Sequence, residues 1–151
     1  MKNAVEILLV EDSEDDAELT LRALRSGNLA NHIHVVGDGE AALDFLFCQG
    51  VYSGRSGLQQ PRLVLVDLKL PKVDGLSVVR AVKLNSQTRT IPIVILTSSR
   101  EEKDVVSGYE LGANSYIQKP VEFDKFRDTI RQLGFYWLLA NQPPIFSRAV
   151  N

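Results

Sequence analysis

Five polar side chains stand where apolar runs of this chain stop. VEILLV (Val5 to Val10) runs into Glu11 and Asp12, RLVLVD closes on Asp67, IVILTSS carries its run to Thr97, and SYIQKP ends on Lys119. Carboxylates, a hydroxyl and an ammonium are the parts of a phosphoryl-transfer centre. A carboxylate attacks phosphorus and holds the group as an acyl phosphate when a cation and a lysine neutralise the developing oxygen charge and a hydroxyl binds one oxygen. Asp67 is the expected nucleophile, with Thr97 and Lys119 beside it. The acids also call for a cation. Two unit charges about 4 Å apart repel by roughly 4 kcal/mol at an effective dielectric near 20, a large fraction of a net stability of about 5 to 15 kcal/mol. A hard divalent ion offsets this. Mg²⁺ fits because it needs only one or two carboxylates, some water and a phosphate oxygen, so Asp12 and Asp67 are expected as direct ligands and Glu11 as a ligand through water. Singly, Thr97 and Lys119 read more often as a helix cap or a surface charge than as site residues, and Asp12 alone could be a capping or loop acid; only the set is specific.

The elements that would bring these residues together follow from the pattern around them. Continuous apolar runs bounded by turn signals are strands buried on both faces. Strands are expected near Ala4 to Val10, Asn31 to Val36, Leu63 to Asp67, Ile91 to Thr97 and Asn114 to Gln118. Helical patterns fall near Ser13 to Ser26, Gly39 to Phe47, Gly75 to Leu84, Glu101 to Leu111 and Glu122 to Leu139. Ser13 suits a helix start, Gly27 and Gly112 suit helix ends, and Pro92 opens a strand. The alternation predicts an α/β fold, a doubly wound five-stranded parallel sheet with helices on both faces. His32 and His34 in the second strand, and Asn114, Tyr116 and Gln118 in the fifth, make those two the edges. With right-handed crossovers the order is 2-1-3-4-5. Its switch point lies between strands one and three, where Glu11, Asp12 and Asp67 meet.

With 151 residues and 44% hydrophobic content, the chain holds one core. Seventeen basic against nineteen acidic residues leave a net charge of −2 without a Lys/Arg run, which argues against nucleic acid as a partner. No stretch has the length of a membrane span or the form of a signal peptide, so the expected place is the cytoplasm, with no membrane partner. Cys48, the single cysteine, reads as buried filler.

Glu11-Asp12 after the first strand, Asp67 with Pro71 four residues on and Asp74-Gly75 beyond, Thr97 followed by small residues, and Lys119-Pro120 resemble the receiver domain of two-component response regulators, a flavodoxin-like fold. The likeness runs from about residue 4 to 134. It implies phosphotransfer from a histidine kinase to Asp67 with Mg²⁺, the main-chain carbonyl of Lys69 as a further metal ligand, and a cis peptide at Lys119-Pro120. It also implies that Thr97 turns toward the phosphate, Lys119 pairs with it, and Tyr116 acts as switch aromatic, reshaping the face made by the fourth helix, fifth strand and fifth helix. Lys69 and Ser99 would flank the attacking water. Such a protein is a signalling phosphoacceptor that catalyses only its own phosphorylation and dephosphorylation.

Two features exceed a minimal receiver. A Gly-, Ser- and Gln-rich segment, residues 48–61, reads as an exposed loop. After a core-facing stripe of Phe123, Phe126, Ile130 and Leu133 come Phe135, Tyr136, Trp137, Leu138 and Leu139, more apolar surface than one helix buries against its own sheet. A receiver over 1–134 and an interaction segment over 135–151 are therefore expected, with Phe135, Tyr136, Trp137 and Leu138 in a homodimer interface; packing of this tail on the long loop is the alternative. Loop and tail together resemble stand-alone regulators that partner phytochrome-type kinases. With only a short tail after the receiver, output is expected through docking or a phosphorelay. His32 and His34 read as solvent-facing filler rather than a metal pair. A haloacid-dehalogenase-type phosphatase wants an acid two residues after the nucleophile, where this chain has Lys69. A flavodoxin-like cofactor binder wants hydroxyls and glycines where this chain has Glu11-Asp12-Ser13-Glu14-Asp15-Asp16, and a receiver-like module that only binds partners would not need the full set.

Overall fold

Segments of four and five residues form five parallel strands: β1 (Ile7–Val10), β2 (Ile33–Val36), β3 (Leu63–Asp67), β4 (Ile93–Thr97) and β5 (Ser115–Gln118). The structure, a computed structural model, describes residues 5–25, 32–57, 59–98 and 107–132. The sheet order is β2-β1-β3-β4-β5, as polarity predicts. Every residue of β1, β3 and β4 is buried, whereas β2 and β5 expose Val35, Tyr116 and Gln118. The helices are α1 (Glu14–Arg25), α2 (Gly39–Phe47), α3 (Gly75–Leu84), α4, described over 107–110, and α5 (Phe123–Gln132).

Alternation along the strands divides the interior in two. Leu8, Val10, Val64, Val66, Ile93 and Ile95 face one core with α2 and α3; Ile7, Leu9, Leu63, Leu65, Val94 and Leu96 face the other with α1 and α5, where Phe126 and Ile130 are fully buried. Leu133 and Phe135 to Leu139 lie outside the described residues, as do Ser26 and Gly27. Ser13 caps α1 by accepting the Asp16 N–H at 3.2 Å, Asp38 caps α2 through the Ala41 N–H at 2.7 Å, and Gly112 holds φ +111° where α4 ends. β4 begins at Ile93 rather than Ile91, because Pro92 lacks the N–H a ladder needs.

The long segment is exposed along most of its length, as expected, but it is anchored to the fold. It forms a short 3-10 turn (Gly50–Tyr52) and folds back on α2. The Arg55 guanidinium lies 3.7 Å over the Phe45 ring and donates to the carbonyls of Phe45 and Gln59, and Gln60 Nε2 donates to the Leu46 carbonyl at 2.7 Å. The bonds to Phe45 and Leu46 fall on the last carbonyls of α2, where i+4 partners run out; the Phe45 carbonyl also accepts the Cys48 N–H at 3.4 Å. His34 is covered by the same device. Its ring stacks on Phe45 at 4.6 Å and its Nε2 lies 2.9 Å from the Tyr52 hydroxyl. The reading of both histidines as solvent-facing is thus corrected: His32 is exposed, but His34 is half-buried beneath a segment whose return over β2 local sequence does not encode. Val51, in the 3-10 turn, is 91% accessible.

Candidate functional site

Parallel register puts the polar residues on one rim. Val10 pairs with Val66, so Glu11 and Asp12 follow β1 beside Asp67 at the end of β3. Asp67 pairs with Leu96 and Thr97 with Gln118, and the Lys119 N–H donates to the Thr97 carbonyl at 2.8 Å. Asp67, Glu11 and Thr97 are buried, and the carboxylates of Glu11, Asp12 and Asp67 each offer an oxygen within 4.8 Å of the others. An all-oxygen donor set at such spacing suits a hard divalent cation. The main chain is held closely here. A Cβ on Gly75 would lie 2.2 Å from the Asp67 carbonyl oxygen and 2.8 Å from Leu68 Cα, and the Gly75 N–H donates to Leu68 at 3.0 Å, so Asp74-Gly75 seats α3 directly under the Asp67 backbone.

Lys119 is bound more fully than its sequence position suggests. Its Nζ lies 2.9 Å from Asp16, 3.0 Å from Glu11 and 3.2 Å from Asp67, and the peptide to Pro120 is cis. Burial opposes the lysine's charge, but hydrogen bonds to Asp16 and Glu11 and the charges of Asp67 and Glu11 outweigh it and hold its pKa well above the ordinary lysine range. Glu11 moves upward: burial is the main cause, opposed by the Lys119 hydrogen bond and reinforced by Asp67. Its second oxygen accepts the Ser13 N–H at 3.2 Å, so both oxygens are engaged, as suits a ligand acting through water. The carboxylate repulsion is thus offset in part by the protein itself. Asp16 is the site residue that sequence reasoning missed. As the third acid of a first helical turn it reads as a complement to the helix dipole, and only its projection toward the rim sets it apart.

Lys69 is exposed beside Asp12 in a cleft of ≈ 570 Å³ also lined by Leu68, Leu70, Pro71, Asp74 and Leu76. Tyr116 on β5 is 42% accessible, its ring 6.1 Å from that of Tyr109. Ser99 lies outside the described residues, and so do Phe135, Tyr136, Trp137 and Leu138. Among the described residues no helix is long and apolar enough to cross a membrane.

The family model of the response regulator receiver domain matches residues 7–131. A curated relative, the probable methanogenesis regulatory protein FilR2 of Methanothrix harundinacea, is 40% identical over 91% of this chain and 86% of its own. Among solved structures, the bacteriophytochrome response regulator AtBRR is 52% identical with a TM-score of 0.81, covering 93% of this chain and 100% of that one. The Mn²⁺-bound form of response regulator Rcp1, a Synechocystis protein, is 36% identical with a TM-score of 0.73, covering 91% and 97%. With acids, hydroxyl and lysine gathered at the switch point of a 2-1-3-4-5 sheet and the family model spanning nearly the whole core, this chain belongs to the response regulator receiver domain family.

Proposed function

We propose that this protein is a phosphoacceptor of two-component signalling, taking a phosphoryl group from a histidine kinase onto Asp67. The observation that carries the reading is the Asp67 carboxylate, buried at a strand end with Lys119 on one oxygen and two further acids within 4.8 Å. A free oxygen of Asp67 attacks phosphorus, the phosphorus–nitrogen bond of the kinase phosphohistidine breaks, and the electron pair leaves on the imidazole, which takes up a proton. Lys119 and the Thr97 hydroxyl stabilise the oxygens of the transferred group. Asp12, Asp67 and the main-chain carbonyl of Lys69 would hold Mg²⁺, with Glu11 acting through water; when bound, the ion neutralises phosphoryl oxygen charge. The Mn²⁺-bound form of Rcp1 supports a divalent ion in this family.

Phosphate draws Thr97 inward and favours an inward Tyr116, changing the α4-β5-α5 face. The likeness to AtBRR supports a phytochrome-type kinase as partner. We assign residues 1–134 to the receiver and 135–151 to a homodimer contact, with cytoplasmic action and no nucleic-acid or membrane partner. The test is incubation with acetyl phosphate, with and without Mg²⁺, followed by intact mass. A single acid-stable, base-labile phosphoryl addition is expected, dependent on Mg²⁺ and absent in Asp67→Asn; persistence of the addition in that variant sinks the assignment.

A further inference from the structure

We propose that Asp16 is a positioning residue that holds Lys119 back from the phosphoacceptor and thereby slows phosphorylation; this rests on the reading of Asp67 given above. A lysine ammonium has three donors. Here all three have carboxylate acceptors, with Asp16 at 2.9 Å, Glu11 at 3.0 Å and Asp67 at 3.2 Å. For Lys119 to meet an incoming phosphoryl oxygen, one of these bonds must open. The Glu11 side chain is 0% exposed and tied to the Ser13 N–H, so releasing it strands a buried charge. Asp67 is the group being modified. Asp16, on the first turn of α1 with its side chain 41% exposed, can exchange the ammonium for water, and it is the contact that yields. Its negative charge also repels the approaching phosphodonor. Both effects act in one direction: with Asp16 neutral, a donor of Lys119 is released sooner and the anion meets less opposition.

The measurement is the rate of phosphoryl addition from acetyl phosphate at saturating Mg²⁺, by intact mass, for wild type, Asp16→Asn, Asp16→Glu and Asp15→Asn. Asp15 is exposed on the same helical turn and removes the same formal charge without being among the partners of Lys119. The expected result is an acceleration of about two- to fivefold in Asp16→Asn, the scale of a partly exposed ion pair. Asp16→Glu should stay near the wild-type rate, and Asp15→Asn within about 1.5-fold of it. In metal-free protein the ¹⁵N resonance of the Lys119 ammonium should move in Asp16→Asn and not in Asp15→Asn. An unchanged or slower Asp16→Asn, an equal acceleration in Asp15→Asn, or an unmoved Lys119 resonance overturns the proposal. Absence of any phosphoryl addition to wild type, or addition that survives Asp67→Asn, overturns instead the reading on which it rests.

Discussion

At the scale of single residues the site is governed by one cation among four acids. Removing Lys119 leaves the buried Glu11 and Asp67 carboxylates without their shared counter-charge and beside Asp12, so Lys119→Met should destabilise metal-free protein by about 1–3 kcal/mol, less than a fully buried pair because Asp16 can turn to water. Urea unfolding measures this. Because the repulsion is then offset by the metal alone, Mg²⁺ should raise the stability of Lys119→Met more than that of wild type. An equal Mg²⁺ effect in both proteins would mean that lysine and ion do not share the task. At this scale the sequence showed Glu11, Asp12, Asp67, Thr97 and Lys119, since each ends a run whose period and polarity are plain. Asp16 was not legible, because the direction of a helix's first turn relative to the rim depends on how α1 docks against β1 and α5.

At the scale of elements, the joint between β3 and α3 is the tightest place near the chemistry. Gly75→Ala would force a methyl to 2.2 Å from the Asp67 carbonyl, a clash with backbone that no rotamer relieves. A loss of about 2–4 kcal/mol in urea unfolding is expected, with weaker Mg²⁺ binding because Asp67 shifts. Native-like stability together with native-like metal affinity would show that α3 can slide without disturbing the acid. The buried strands β1, β3 and β4 were readable because burial on both faces leaves an unbroken apolar signature, and the edges because they lack one. What covers His34 was not readable. Tyr52 reaches it, and Arg55 packs on its neighbour Phe45, from a segment of irregular backbone whose path is set by contacts at the end of α2, not by any periodicity.

The covering has a pH consequence. Burial first, and the charge of Arg55 second, lower the His34 pKa below its ordinary 6.5. An unfolded chain therefore takes up this proton near pH 6.5 while the folded protein still refuses it. His34 contributes stability in full above that pH, and the contribution is lost as pH falls toward the folded value. Melting temperature should accordingly fall more for wild type than for His34→Phe between about pH 7.5 and 5.5. Parallel curves would show that the ring is free to charge in place.

At the scale of the whole molecule, two regions bear on the proposed partners. One is the α4-β5-α5 face, where Tyr116 and a groove of ≈ 290 Å³ lined by Lys125, Asp128, Thr129 and Gln132 lie together. The other is the proposed homodimer contact over residues 135–151, which opens with the aromatic run from Phe135. In that proposal a twofold-related copy would cover the run without leaving an open-ended contact. Trp137 is the only tryptophan, so its emission reports this segment alone. Dilution should shift that emission to the red in step with a fall from dimer to monomer mass by light scattering, and Trp137→Ala should weaken association at least about tenfold, as loss of an aromatic anchor does. A monomer at all concentrations, with and without beryllofluoride, would refute the dimer. A red-shifted tryptophan in a stable dimer would place the interface elsewhere, on the face that Tyr116 occupies.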